Sequence, residues 1–155
     1  RNGVRTAMQW NGELNAGFSQ AAPDQLYAPL IDEGEFSYRT VNVENQQKNP
    51  SSLLNWTRRM IELRRQNRVF GRGTFEIIEV KNPHVFVFAR EFEGQRVICL
   101  FNFARSMQSV SVPVNVTERT DVTDLIGGSS LHSATARKPY QVTLGPRGYA
   151  WLQIG

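Results

Sequence analysis

Hydrophobic and polar residues follow three different patterns along the 155 residues of the chain. Residues 1–50 show no sustained period, and Gly, Pro, Asn and Asp recur among them, which is typical of an irregular loop segment. Disordered tracts are poor in aromatic residues, so the aromatic residues of this segment indicate an ordered loop. They are Trp10, Phe18, Tyr27, Phe36 and Tyr38. An ordered loop of this length needs a surface to pack on, and such loops are usually functional.

Residues 51–67 have the period of one long amphipathic helix. Ser51 or Ser52 is the expected N-cap, because a serine hydroxyl accepts a hydrogen bond from a free N–H of the first turn. Arginines lie on the opposite face or near the C-terminal end, where positive charge suits the helix dipole. The apolar stripe is broad, and we expect it to stay exposed when this chain is alone. It consists of Leu53, Leu54, Trp56, Met60, Ile61 and Leu63.

From Gly73 onward the apolar residues alternate with a period of two, which is typical of β-strands. Phe75 and Ile77 form one alternating pair, and the turn residues Glu93 and Gly94 predict a tight hairpin between two strong strands. The strands are predicted over residues 84–92 and 96–103, and near 107–113, 119–125, 140–144 and 148–154. Seven or eight short antiparallel strands in about 80 residues predict a β-sandwich, so the fold class is mainly β.

Composition narrows the possible function classes. The net charge is +4, but many of the basic residues belong to the predicted helix and form its solvated face, so we predict no nucleic-acid partner. No apolar run approaches the roughly 18 residues of a membrane-spanning helix, which predicts no membrane association. Cys99 lies in an apolar strand and is expected to be a buried, unreactive thiol, as suits the reducing cytoplasm. We predict no cofactor and no metal site.

One motif is specific. Residues 5–10 read Arg-Thr-Ala-Met-Gln-Trp, and residues 15–19 read Asn-Ala-Gly-Phe-Ser. Together they resemble the "RTPMQW…NAGFS" signature of the α-glucosidase-like branch of glycoside hydrolase family thirteen. Ala7 replaces the proline of the signature, which loosens the loop without removing a functional group. Gly17 is expected to supply a backbone conformation that is closed to other residues.

The resemblance implies a division of the chain into two parts. Residues 1–70 are the expected end of a catalytic (β/α)8 barrel, consisting of a loop beside the sugar pocket and the last barrel helix. Residues 71–155 are the expected C-terminal all-β sandwich domain. A whole barrel needs roughly 250 residues, so the rest of it is absent from this chain. The start at Arg1, without initiator methionine or signal peptide, also fits a truncated chain.

Arg5, Gln9 and Trp10 are the predicted substrate-binding residues, since the family signature lies beside the sugar pocket. The guanidinium of Arg5 offers a planar fork of donors, suited either to vicinal sugar hydroxyls or to a carboxylate that pins the loop on the barrel. Both interpretations stay open. Trp10 either presents its ring to a pyranose or anchors the loop in a core.

The catalytic carboxyl groups of the family are not recognisable in this chain. A retaining glycosidase needs two carboxyl groups roughly 5–5.5 Å apart. The family adds a third aspartate that follows a histidine. Here His84 precedes a valine and His132 precedes a serine, and Asp121 and Asp124 fall in the predicted sandwich, where we expect them to face solvent or cap turns. We therefore predict no catalytic residue, and no activity for the chain alone.

Further patches narrow the branch. Residues 41–65 follow the pattern of the branch, and residues 72–74, 87–94 and 102–105 resemble those members that interconvert maltose and trehalose. The resemblance implies an isomerase whose substrates are maltose and trehalose, acting by retaining intramolecular transglucosylation. Two alternatives stay open: an α-glucosidase or oligo-1,6-glucosidase, and a non-catalytic sugar-binding or assembly β-domain. A homo-oligomer is also possible, because apolar surface is exposed without the barrel.

Overall fold

The computed structural model describes residues 4–155. The chain divides into two compact units, residues 1–61 and residues 62–155. The first unit is mostly loop, with short 3₁₀ turns at Leu14–Gly17 and Pro23–Gln25. It also contains helix α1, Val43–Lys48, which is a correction, because the sequence analysis treated residues 1–50 as irregular. A helix of six residues is too short to show an apolar period.

Asn42 begins helix α1 and is buried. Its Oδ1 accepts a hydrogen bond of 2.8 Å from the backbone N–H of Asn45, and its Nδ2 donates one of 2.7 Å to the carbonyl oxygen of Tyr38. One side chain therefore caps the helix and ties it to the preceding loop.

Replacing Asn42 by alanine is expected to destabilise the first unit. The substitution removes the cap and leaves the buried carbonyl of Tyr38 without its donor, so the free energy of unfolding should fall by about 1–2 kcal/mol. Urea denaturation followed by circular dichroism measures the change. The control is Gln20→Ala, which removes an exposed loop amide. A loss no larger than in the control would contradict this role.

Helix α2, Leu53–Gln66, lies where the apolar period places it. The hydroxyl of Ser52 accepts a hydrogen bond of 3.2 Å from the N–H of Asn55, which confirms Ser52 as the N-cap. Met60 is buried, whereas Leu53 is 71% exposed and Ile61 is 52% exposed. As expected for this chain alone, part of the apolar stripe remains in contact with solvent.

The second unit is a β-sandwich, preceded by the short helix α3, Val69–Arg72. Its strands are β1 Glu76–Ile77, β2 Val85–Phe92, β3 Gln95–Asn102, β4 Gln108–Val112, β5 Val122–Asp124, β6 Ser129–Ser130, β7 Tyr140–Leu144 and β8 Tyr149–Ile154. A six-stranded antiparallel sheet has the order β1-β2-β3-β8-β5-β6, and β4 and β7 form a second sheet of two strands. The predicted mainly-β fold class is confirmed.

The hairpin between β2 and β3 is also confirmed. Its two turn residues both have positive φ, 50° at Glu93 and 81° at Gly94, as the preferred two-residue hairpin turns require. The register pairs Phe92 with Gln95 and continues to Val85 opposite Asn102. Alternate residues of this hairpin therefore share a face. Val87 and Leu100, which lie opposite each other, belong to the core that is shared with Val110 of β4.

A second cluster lies on the other face of the large sheet, under helix α3. Val69 is fully buried there, and the ring of Phe70 lies 4.8 Å from that of Trp151. Cys99 belongs to this cluster and is 1% exposed, which confirms the predicted buried thiol. Burial raises the pKa of the Cys99 thiol to about 12.

Cys99 is expected to resist alkylation in the folded chain. At pH 8.5 an ordinary cysteine is substantially ionised, but a thiol of such high pKa stays protonated and is not nucleophilic. Iodoacetamide should label native Cys99 at least about 100-fold more slowly than the same residue in urea. Mass spectrometry of timed samples measures both rates. Rapid labelling under native conditions would show that the thiol is not buried as described.

Candidate functional site

The signature segment is joined to helix α1 through its backbone. The carbonyl oxygens of Gln9 and Trp10 accept hydrogen bonds of 2.9 Å and 3.0 Å from the N–H groups of Val43 and Glu44. The first N–H groups of a helix have no partner within it. Here the signature segment and the side chain of Asn42 supply these partners, so helix α1 fixes the position of Gln9 and Trp10.

The Gln9 side chain holds the loop together. Its Nε2 donates to the carbonyl oxygen of Val41 and, over 3.2 Å, to that of Phe36. The two N–H bonds of this amide are thus directed at backbone acceptors. The sequence analysis assigned Gln9 to substrate binding, and that assignment stays a prediction. The described geometry gives the side-chain nitrogen a second role, as a tie between the signature and residues 36–41.

A left-handed turn lies in the second part of the signature. Asn15, Ala16 and Gly17 have φ values of 52°, 59° and 68°. The carbonyl oxygen of Ala16 accepts from the N–H groups of Trp10, at 2.8 Å, and Asn11, at 3.2 Å. A Cβ added to Gly17 would lie 2.6 Å from Oδ1 of Asn11, so glycine is favoured at this position, in line with the expectation for Gly17.

Asn15 supports this turn from inside the loop. It is 2% exposed, and its Nδ2 donates to the carbonyl oxygens of Ser19, at 3.0 Å, and Ala21, at 2.7 Å. Backbone residues in sparsely populated conformations persist only where their surroundings hold them. The turn at residues 15–17 is therefore a built feature, and it positions the backbone of Trp10.

Arg5 and Trp10 present their side chains to solvent in this chain. Arg5 is exposed, and Trp10 is 50% exposed although its backbone is fixed on both sides. The exposed part of Trp10 is thus available to a ligand or to another part of the protein. Their assignment to substrate binding stays a prediction for both residues.

An open groove of about 520 Å³ runs beside the signature. Of the three predicted substrate-binding residues, only Gln9 lines it. The lining residues are Thr6, Ala7, Met8, Gln9, Val41, Asn42, Val43, Gln46, Leu53, Leu54 and Thr57. The groove is mainly apolar and its lining includes no carboxylate, so it offers contact surface but no acid or base for glycosidic chemistry.

The carboxylates of the chain lie elsewhere. Asp124 accepts hydrogen bonds of 3.1 Å from the N–H groups of Ile126 and Gly127, and Asp121 accepts one of 3.1 Å from the hydroxyl of Ser133. Both belong to turns and surface contacts of the sandwich, as predicted. The acidic residues of the irregular segment are all exposed: Glu13, Asp24, Asp32, Glu33 and Glu35. Among residues 4–155, no cluster of His, Cys, Asp and Glu could hold a metal ion.

Helix α1 and its links were not foreseen from the sequence. Within the first unit, Oε1 of Gln46 accepts a hydrogen bond of 2.9 Å from the N–H of Leu54. The backbone carbonyl oxygen of Gln46 accepts another of 2.9 Å from Nδ2 of Asn55. Gln46 thereby connects α1 to the start of α2. A signal was present, because Asn42 stands where an N-cap residue belongs, directly before a helix-compatible run.

No helix in the described part of the chain is long and apolar enough to cross a membrane.

Comparison with known proteins agrees with this architecture. Residues 1–73 match the family model for the catalytic domain of alpha amylase, and residues 75–151 match that for the C-terminal domain of maltogenic amylase. The chain belongs to the α-amylase family. In fold it resembles the crystal structure of the trehalulose synthase from Pseudomonas mesoacidophila, with a TM-score of 0.73 and 21% identity, over 97% of this chain and 25% of that one.

Curated relatives resemble the chain more closely in sequence. A trehalose synthase of a Pimelobacter species is 42% identical over 99% of this chain, and one of Thermus thermophilus is 39% identical over the same share. An oligo-1,6-glucosidase of Heyndrickxia coagulans is 29% identical over 73% of the chain. The chain spans 27%, 16% and 19% of the lengths of these three proteins.

Proposed function

We propose that the chain is the C-terminal part of a trehalose synthase, an isomerase that interconverts maltose and trehalose. One observation carries the proposal: the identity to trehalose synthases of 42% and 39% extends over 99% of the chain. The similarity to oligo-1,6-glucosidases is lower, at 26–32%, and covers 73–77% of the chain. A similarity over 99% of the chain includes the β-sandwich as well as the signature segment.

We propose further that residues 1–70 complete a catalytic (β/α)8 barrel and that residues 71–155 form the C-terminal domain. The two family matches, 1–73 and 75–151, support a boundary in this region. The exposed apolar residues of the first unit support it too, because Leu53, Met8 and Phe18 would lie against the rest of the barrel. A cytoplasmic location fits the single buried cysteine.

In the proposed reaction, the two catalytic carboxyl groups belong to the part of the parent protein that precedes this chain. One carboxylate attacks the anomeric carbon of maltose while an acid protonates the leaving oxygen, which gives a covalent glucosyl-enzyme and free glucose. The freed glucose stays in the pocket and reorients. Its anomeric hydroxyl then attacks the glucosyl-enzyme, and the former acid takes the proton. No catalytic carboxylate is predicted in this chain, so the chain alone is expected to leave maltose unchanged.

Exclusion of water is essential to this proposal, since water that reaches the glucosyl-enzyme releases a second glucose. The signature loop is suited to closing the pocket, because Gln9 and the turn at residues 15–17 hold it in one conformation. Arg5 and Trp10 lie on this fixed loop with their side chains exposed, and they would face the retained glucose. An oligo-1,6-glucosidase, the second candidate, would instead admit water and release glucose.

Replacing Gln9 by glutamate in the full-length parent tests the closure. The variant keeps the side-chain length but loses both N–H donors, so the loop should loosen. We expect the fraction of maltose that ends as glucose to rise about tenfold, while KM for maltose changes little. Glutamate at the exposed Gln20 is the matched control. A raised KM with an unchanged glucose fraction would instead place Gln9 on the substrate.

A further inference from the structure

Asn11 is followed by Gly12 in the loop between the two parts of the signature. Asparagine is thermolabile, and it loses its side-chain amide most readily before glycine, whose backbone freedom lets the next nitrogen reach the amide carbon. Among the asparagines of residues 4–155, Asn11 alone precedes a glycine. Asn2 also precedes one, but it lies outside the described residues.

The surroundings of this dipeptide leave room for the reaction. Gly12 is exposed, and a Cβ placed on it would meet nothing within 4 Å. The side-chain amide of Asn11 lies over Gly17, where an added Cβ would be 2.7 Å from both Cγ and Nδ2. Asn11 is half-buried, so water has access to its amide.

One hydrogen bond favours attack on this amide. The backbone N–H of Glu13 donates to Oδ1 of Asn11 over 3.0 Å. Attack at Cγ turns Oδ1 into an oxyanion, and an N–H that already points at this oxygen stabilises the developing charge. The nitrogen Nδ2 is the leaving group, and the described part of the chain offers it no hydrogen-bond acceptor.

Asn15 has the opposite arrangement in the same loop. It is 2% exposed, and its Nδ2 donates to the carbonyl oxygens of Ser19 and Ala21. Loss of this nitrogen would break both hydrogen bonds, and the next residue is a buried alanine. Asn15 is thus an internal reference, because the protein holds the group that Asn11 leaves free.

We propose that Asn11 is a site of spontaneous deamidation through a cyclic imide formed with Gly12. The backbone nitrogen of Gly12 gives its proton to hydroxide and forms a bond to Cγ of Asn11, while Nδ2 takes a proton from water and leaves as ammonia. Water then opens the imide at either carbonyl carbon, which gives aspartate or isoaspartate. The net change is the uptake of water and the release of ammonia, without oxidation or reduction.

Isoaspartate at position 11 would disturb the turn that fixes Trp10. The backbone N–H groups of Trp10 and Asn11 both donate to the carbonyl oxygen of Ala16, so residues 10–16 form a closed loop. Isoaspartate adds a methylene group to the backbone of this loop, whereas aspartate keeps both the backbone and the Oδ1 acceptor. The modification therefore acts as a slow, irreversible switch on the signature loop.

Timed peptide mapping of the folded chain at mildly alkaline pH tests the chemistry without any sugar. Mass spectrometry in water enriched in heavy oxygen detects the new carboxyl oxygen and assigns it to Asn11 or Asn15. We expect residue 11 to react at least about tenfold faster than residue 15, and Gly12→Ala to slow it by about the same factor. Trypsin cleavage at Arg5 separates Asn2 from both positions.

The chain unfolded in urea separates the dipeptide from its surroundings. Because the N–H of Glu13 favours attack, residue 11 should react at least as fast in the folded chain as in urea, whereas Asn15 should react more slowly when folded. Much slower reaction of residue 11 in the folded chain, or equal rates at residues 11 and 15, would overturn the proposal.

The full-length parent gives the consequence, and this part rests on the proposed function. On storage, the loss of kcat/KM for maltose should follow the isoaspartate content of residue 11, and Gly12→Ala should stay active longer. Alanine fits at position 12, since Gly12 has no left-handed φ and an added Cβ meets no atom. Isoaspartate without loss of activity would overturn the switch. A parent that never acts on maltose would contradict the proposed function and leave the mass measurements valid.

Discussion

Replacing Leu100 by alanine is expected to lower the free energy of unfolding of the second unit by about 2–5 kcal/mol. Leu100 has no exposed surface and lies on the inner face of β3, opposite Val87 of β2. Its core neighbours come from both sheets, so the cavity left by alanine cannot be filled by the movement of one strand. Urea denaturation of the chain, followed by far-ultraviolet circular dichroism, measures the loss.

The control for this prediction is Leu131→Ala. Leu131 is 41% exposed, so the same loss of side-chain atoms should change the free energy of unfolding by less than about 0.5 kcal/mol. The comparison keeps the chemical change constant and varies only burial. Equal effects at the two positions would show that Leu100 is not in the core of the sandwich.

Replacing Arg5 by alanine in the full-length parent is expected to reduce kcat/KM for maltose by about 10- to 100-fold. A charge-assisted hydrogen bond is worth about 1.5–3 kcal/mol, and each 1.4 kcal/mol or so corresponds to a factor of about ten in rate. Arg5 is exposed on a loop whose backbone is fixed at Trp10, so its guanidinium is free to reach a sugar hydroxyl. Steady-state kinetics with maltose measures the change.

Arg105→Ala is the matched control for Arg5, because Arg105 is an exposed arginine in the β-sandwich. It should leave kcat/KM and Tm unchanged. The amount of glucose by-product distinguishes the two interpretations of Arg5. If Arg5 pins the loop, its replacement should raise the by-product. If Arg5 only binds sugar, its replacement should leave the by-product unchanged. Unchanged turnover together with unchanged by-product would remove Arg5 from the site.

The β-sandwich was largely predictable because local signals agree there. The hairpin of β2 and β3 combines two strongly alternating runs with the turn residues Glu93 and Gly94, which adopt the positive φ that this turn needs. Strands β7 and β8 also lie where the sequence analysis predicted strands, over residues 140–144 and 148–154. The pairing of β4 with β7, over about 30 residues of chain, depends on long-range packing that no local pattern encodes.

Strand β6, helix α1 and the second role of Gln9 could not be predicted from the sequence, each for a physical reason. Strand β6 consists of Ser129–Ser130 and has no apolar alternation, so its place at the sheet edge follows from tertiary contacts alone. Helix α1 has too few residues for a period, although its cap Asn42 is a local signal. For Gln9 the residue type does not say whether an amide donates to a sugar or to the backbone. The distances to Phe36 and Val41 were needed to recognise the second role.

The central claim is that this chain completes a trehalose synthase. Proton NMR of the anomeric region, recorded while the full-length parent acts on maltose, tests it most directly, with this 155-residue chain as the control. We predict that trehalose accumulates in excess of glucose with the parent, and that the chain alone leaves maltose unchanged. Glucose without trehalose would place the parent among the α-glucosidases. Turnover by the chain alone would contradict the upstream location of the catalytic carboxyl groups.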